Sequence, residues 1–162
     1  MKKCWILVLA LLLAGCSRQG ALETVSDEYV QLVSAEKWQL VLDIPLDAGV
    51  QVMESDDLAK LYFCDNYLVT VQTVSSGDLD KTLRSATGYG EKELNLMKTQ
   101  QDGLERYECV FVSAGEAETQ IGRTCILDDG SYHYVLSVMA DAEVTQQYKE
   151  IWNGMFESFT LI

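Results

Sequence analysis

The sequence predicts an α+β domain: an antiparallel β-sheet, made of a meander and an N-terminal hairpin, covered by helices. Three observations predict it. The second half of the chain holds four β-rich runs separated by short turn signals. A helical apolar stripe follows them, and a shorter helix with its own start and stop signals precedes them.

The first stretch of the domain, Leu22 to Glu36, carries Leu22, Val25, Tyr29, Leu32 and Val33 near helical spacing, which predicts a helix. Trp38 to Ile44 is rich in β-formers and stops at Pro45, the only proline, so it reads as a strand entering a turn. Strands are expected at Val50–Glu54, Leu58–Cys64 and Tyr67–Ser75. Asp65-Asn66 joins the last two and suits a two-residue hairpin turn with positive φ. Asp78 to Thr87 reads as a short helix, with Leu79 and Leu83 four apart, acidic residues in its first turn and Gly88 as its stop.

The meander comprises Leu94–Gln100, Leu104–Ser113, Thr119–Leu127 and Ser131–Ala140, with turns at Asp102-Gly103, Ala114–Glu118 and Asp129-Gly130. A two-residue Asp129-Gly130 turn sets Leu127 opposite Tyr132 and Cys125 opposite Tyr134. A loop centred on Ala117 sets Cys109 opposite Cys125, on one face with Tyr107 and Phe111. That face then collects Tyr107, Phe111, Ile121, Leu127, Tyr132, Tyr134, Leu136 and Val138, a core face. The helix to cover it runs from Glu143 to Phe156, with Val144, Tyr148, Ile151, Trp152, Met155 and Phe156 in one stripe and Asp141 as its N-cap. Phe159 to Ile162 is a short extended tail. No repeat, low-complexity segment or second domain is visible, so residues 22–162 form one domain.

Residues 1–15 read differently. Lys2 and Lys3 precede an uninterrupted apolar run from Cys4 to Ala14. As a helix that run spans roughly 16 Å, about half of the ~30 Å hydrocarbon core, so it fits a cleavable export signal and not a transmembrane helix. It ends in Leu13-Ala14-Gly15-Cys16, which resembles the lipobox of bacterial lipoproteins. The resemblance implies cleavage between Gly15 and Cys16 and a lipid thioether on Cys16, because the peptidase needs small side chains and the modification needs a thiol. Two or more acyl chains are what lasting attachment requires. Residues 17–21 are then a short tether, and the domain lies on the extracytoplasmic side.

The chain carries 12 Lys and Arg against 25 Asp and Glu, a formal net charge of −13. Losing Lys2 and Lys3 with the leader makes it −15. Such a surface is repelled by nucleic acid and by anionic lipid, so nucleic-acid binding is excluded and the lipid must do the anchoring.

The order of elements is similar to the PsbP-like α/β/α sandwich, through the phrase Tyr132-His133-Tyr134-Val135-Leu136-Ser137-Val138 and the run from Tyr148 to Phe159 ending Met155-Phe156-Glu157-Ser158-Phe159. The likeness covers nearly all of Gln39 to Ile162 and is one of layout. It implies a non-enzymatic accessory protein of a membrane complex, and no functional residue carries over because no functional motif is matched.

Candidate chemistry is sparse. With Cys4 in the leader and Cys16 lipidated, Cys64, Cys109 and Cys125 remain. The expected register permits a Cys109–Cys125 disulfide, but cross-strand geometry is tight, and buried thiols acting as small apolar residues are favoured. No C-x-x-C pair exists, so a redox or zinc site has no support, and no metal or cofactor is expected. His133, the only histidine, lies on the face opposite Tyr132 and Tyr134, outward or toward a second helical layer. Asp56-Asp57, Asp128-Asp129 and Glu116/Glu118 lack calcium-loop spacing and suit turns and solvation. Gly88-Tyr89-Gly90-Glu91 lacks the strand-before, helix-after setting of a phosphate loop.

The expectation is therefore an exported, lipid-anchored, non-enzymatic domain that binds a protein partner in the envelope. One rival is a small-ligand or metal-binding lipoprotein using a cleft between sheet and helix. The other is a hydrolase with a dispersed site, which needs a nucleophile within reach of His133.

Overall fold

Short turns between β-rich runs force neighbouring strands to lie antiparallel, and the second half of the chain is built this way. The computed structural model describes residues 22–24, 30–33, 39–44, 51–56, 59–114 and 118–162. The meander strands are β7 (Met97–Gln101), β8 (Leu104–Ala114), β9 (Thr119–Asp128) and β10 (Tyr132–Asp141). Before them come β1 (Leu22–Thr24), β2 (Val30–Val33), β3 (Gln39–Leu42), β4 (Gln51–Asp56), β5 (Ala59–Phe63) and β6 (Tyr67–Ser75). Helix α1 (Leu79–Thr87) joins β6 to the meander, and α2 (Thr145–Ser158) with β11 (Thr160–Leu161) ends the chain.

Eight strands form one sheet in the order β1-β4-β5-β6-β10-β9-β8-β7, and β11-β3-β2 form a small second sheet. Every pairing is antiparallel. The central strands are buried on both faces, as the unbroken buried runs Thr124–Leu127 and His133–Leu136 require. On one face, Cys125, Leu127, Tyr134, Leu136 and Val138 pack against Tyr148, Trp152, Met155 and Phe156 of α2 and against Leu40 and Leu42 of the small sheet. On the other, Tyr107, Cys109, Ile126 and Val135 pack against Leu83 of α1. The layering is helix, sheet, helix. Each fully buried large apolar side chain contributes about 1.5–3 kcal/mol.

Both helices follow their signals, with one difference. The Asp78 carboxylate accepts from the Lys81 N–H at 3.0 Å, and Gly88 ends α1 at φ 84°, its N–H donating to the Arg84 carbonyl. In α2 the first helical residue is Thr145, so Asp141 is not the N-cap; it remains the last residue of β10.

Four expectations are corrected. Leu22–Thr24 and Val30–Val33 are strands and not parts of one helix, since pairing with β4 and β3 overrides a loose helical spacing rich in β-branched residues. Strand β7 starts at Met97, because Leu94 and Leu96 pack under α1 instead. The Asp65-Asn66 turn closes on a Cys64–Tyr67 hydrogen bond, yet neither residue has positive φ.

The fourth concerns register. The β9–β10 turn is Gly130-Ser131, so Leu127 faces Tyr134 and Cys125 faces Leu136, a two-residue shift that preserves the faces. In β8–β9, Ala114 pairs with Thr119 across an even, four-residue connection. That sets Glu108 opposite Cys125 and Cys109 opposite Thr124. A one-residue shift moves Tyr107, Cys109 and Phe111 to the α1 face, away from Leu127 and Tyr134. The same register puts Gly122 opposite Phe111, where any Cβ would land on the Phe111 ring. The leader, Gly15, Cys16, the tether, Trp38 and Pro45 lie outside the described residues.

Candidate functional site

Three groups of polar side chains break the apolar pattern. The first lies under α1. Asp78 fixes the start of that helix so that Thr82 faces the sheet, 2.8 Å from the Nδ1 of His133 on β10. The Nε2 of His133 lies 3.5 Å from the Asp128 carboxylate. A hydroxyl, an imidazole and a carboxylate thus stand in a row, the arrangement a dispersed hydrolase needs. Burial decides its chemistry: His133 is 2 % exposed and Thr82 6 %, with α1 lying over them. The row satisfies the polar atoms of a buried ring.

The second group holds α2 to the sheet. Arg106 on β8 is buried; its Nη2 donates to the Phe156 carbonyl at 2.7 Å, and its Nε donates to Glu108 at 2.7 Å. Nη1 donates to the Gln101 side chain. The guanidinium therefore caps carbonyls at the C-terminal end of α2, where the helix dipole favours a cation. Glu108 also accepts from Arg123 at 2.9 Å, and Arg123 donates to Asn153 of α2 and stacks 4.1 Å from the Phe156 ring centre. Burial pushes the Glu108 carboxyl up, but hydrogen bonds and charge from Arg123 and Arg106 outweigh it and hold the carboxyl below its ordinary range.

The third is a surface. Beyond the covering stripe of α2, the ends of β8 and β9 leave a groove of about 240 Å³. Val110, Ile121 and Trp152 give it apolar walls, while Arg123 and Lys149 supply positive charge. Among the described residues no carboxylate lines it. Val110 is 61 % exposed, and Val112, two residues on along β8, is 54 % exposed.

Cys109 and Cys125 sit on opposite faces of the sheet and are free thiols, so the disulfide that the expected register permitted is not formed. Burial pushes their thiols up, to about 11 and about 12 respectively. Cys64 is half-buried against the α2-side core. The Asp128-Asp129 pair does turn chemistry: Asp128 accepts from the Gly130 N–H, and Asp129 from those of Ser131 and Tyr132. Among the described residues no cluster of three or more His, Cys, Asp or Glu is placed to hold a metal, and no helix is long and apolar enough to cross a membrane. Sequence reasoning missed Arg106 and Arg123; their signal was two cations inside otherwise core-forming strands of an acidic chain.

No family model matches the chain, and no curated protein matches it. Among solved structures it is similar to LpqN of Mycobacterium tuberculosis, described as involved in cell envelope biogenesis. The TM-score is 0.48 at 12 % identity over 86 % of this chain and 91 % of that one. It is also similar to the cyanobacterial PsbP of Synechocystis, with a TM-score of 0.45 and 14 % identity over 93 % of this chain and 99 % of that one.

Proposed function

We propose that the chain is an exported bacterial lipoprotein, cut between Gly15 and Cys16 and held on a membrane by lipid on Cys16. Its domain then acts without catalysis, as an accessory module that binds a protein partner in the envelope. The observation that carries this reading is Leu13-Ala14-Gly15-Cys16 at the end of an eleven-residue apolar run behind two lysines. The charge supports it: the cut chain, at −15, gains no hold on an anionic membrane through its surface. The groove beside α2 supports partner binding, since its 240 Å³ is small beside the roughly 300–1,000 Å³ of small-molecule pockets. A hydrolase reading has its hydroxyl within reach of His133, but the α1–sheet interface covers both groups.

Metabolic labelling with an alkyne fatty acid tests the anchor. The wild-type chain takes up the label, while Cys16→Ser loses it and accumulates the uncut precursor. A wild-type chain without label, or a labelled Cys16→Ser variant, refutes the lipid assignment.

A further inference from the structure

The outer edge of β8 changes character halfway along. The Asp102-Gly103 turn, with φ of 51° and 84°, closes a two-residue hairpin on the pair Gln101–Leu104. In such a hairpin the closing pair exchanges both backbone hydrogen bonds, so Leu104, Arg106 and Glu108 direct their N–H and C=O groups toward β7. By the same alternation Val110 and Val112 direct theirs to that side. Strand β7, however, begins at Met97, opposite Glu108. Among the described residues, the N–H and C=O of Val110 and the N–H of Val112 therefore have no strand beside them. The Val112 C=O confirms the direction, since it points outward and accepts from the Tyr89 hydroxyl at 2.6 Å.

Natural sheets guard such edges with charge, proline, a bulge or a covering element. None of the first three is present here. Residues 109–113 are Cys, Val, Phe, Val and Ser, and the β8–β9 register runs through them without a bulge. The two valines are the exposed ones, and Val110 also lines the groove with Lys149. Lys149 makes no hydrogen bond or ion pair with the described residues.

We propose that this edge of β8, at Val110 and Val112, is a strand-addition site for an extended, antiparallel segment of a partner protein. That segment places apolar side chains beside the two valines and a carboxylate toward Lys149. The proposal rests on the partner-binding reading above and names the surface and the chemistry. A second copy of the chain is the poorer occupant. The mature copy brings another −15 charges, and its exposed Glu118 follows the same strand closely in sequence.

The test uses the mature lipoprotein in detergent and the peptide Thr-Glu-Thr-Val-Thr-Val-Thr-Glu-Thr, read by fluorescence anisotropy and by hydrogen exchange at single amides. In the free protein the Val110 and Val112 amides exchange fast, while those of Phe111 and Ser113, directed at β9, are protected. The peptide binds and protects Val110 and Val112. Replacing both glutamates by lysine weakens binding about ten-fold, and Lys149→Glu reverses that preference. N-methylation of the two valines abolishes binding, whereas N-methylation of the central threonine, whose N–H faces away, leaves it intact.

Absence of binding, binding indifferent to valine N-methylation, or Val110 and Val112 amides already protected in the dilute free protein would overturn the proposal. Protection that appears with protein concentration alone would overturn it in favour of a second copy. Photo-crosslinkers in cells separate its failure from that of the broader reading. Crosslinks to an envelope protein from exposed Glu150 or Lys81 but not from Val110 sink the strand-addition site and leave partner binding standing. Crosslinks from none of them sink partner binding itself.

Discussion

Arg106 joins more of the molecule than any other polar residue described above. It reaches from β8 to the carbonyls ending α2 and shares Glu108 with Arg123. Removing one partner of a buried ionic group strands the other, which costs about 3–5 kcal/mol. Arg106→Ala should lower the unfolding free energy extracted from urea denaturation by that amount, and Arg106→Lys should recover only part of it, since an ammonium lacks the planar fork. Glu108 makes the same network sensitive to acid. Its folded pKa lies below the ordinary 4.5, so its contribution is complete above that value and is lost as pH falls through the lower folded one. Urea midpoints taken between about pH 3 and pH 6 should therefore fall steeply in wild type and less steeply in Glu108→Gln. His133 gives a milder case. Thr82→Val leaves its Nδ1 buried without a partner and should cost about 1–3 kcal/mol, read in the same denaturation.

At the scale of elements, the β8–β9 pairing decides which side chains share a face. Gly122→Ala drives a methyl into the Phe111 ring and should cost about 1–3 kcal/mol, whereas alanine at exposed Gly154, where a Cβ meets nothing, should not. The pairing also separates Cys109 from Cys125 and buries both, with thiols pushed up to about 11 and about 12. Neither should react with iodoacetamide at about pH 8 until urea unfolds the chain, because only the thiolate attacks. Labelling of native protein at either position would contradict the register. Strand β6 was legible to the residue, because alternation and flanking turns agree there. Helix α1 was legible to within one residue: it starts at Leu79 with Asp78 as its cap, not at Asp78, and Gly88 stops it as expected. The β8–β9 register was not legible. Loop length sets it, and nothing local at Ala114–Glu118 distinguishes an odd connection from an even one; the clue was Gly122, whose missing side chain matters only once Phe111 lies across from it. The Arg106 network escaped for a related reason: the acceptors that tie it to α2 are main-chain oxygens some fifty residues away.

For the whole molecule, the sequence separates an apolar, positively charged first segment from an acidic domain that the sheet and two helices enclose. The helix–sheet–helix layering was legible as an α+β pattern, because a stripe of six apolar residues running from Val144 along α2 and a four-stranded meander have few ways to bury each other. In the proposed reading, residues 13–16 carry the location of the domain, and the β8 edge, which no local sequence rule marks, carries its contact with a partner. Attachment through Cys16 is the claim on which the rest depends. Intact-mass and N-terminal peptide mass spectrometry of the protein purified from membranes tests it most directly. The predicted result is a chain beginning at Cys16, with residues 1–15 gone and a diacylglyceryl thioether on that cysteine. A chain that begins elsewhere, or a Cys16 whose thiol is unmodified, contradicts it.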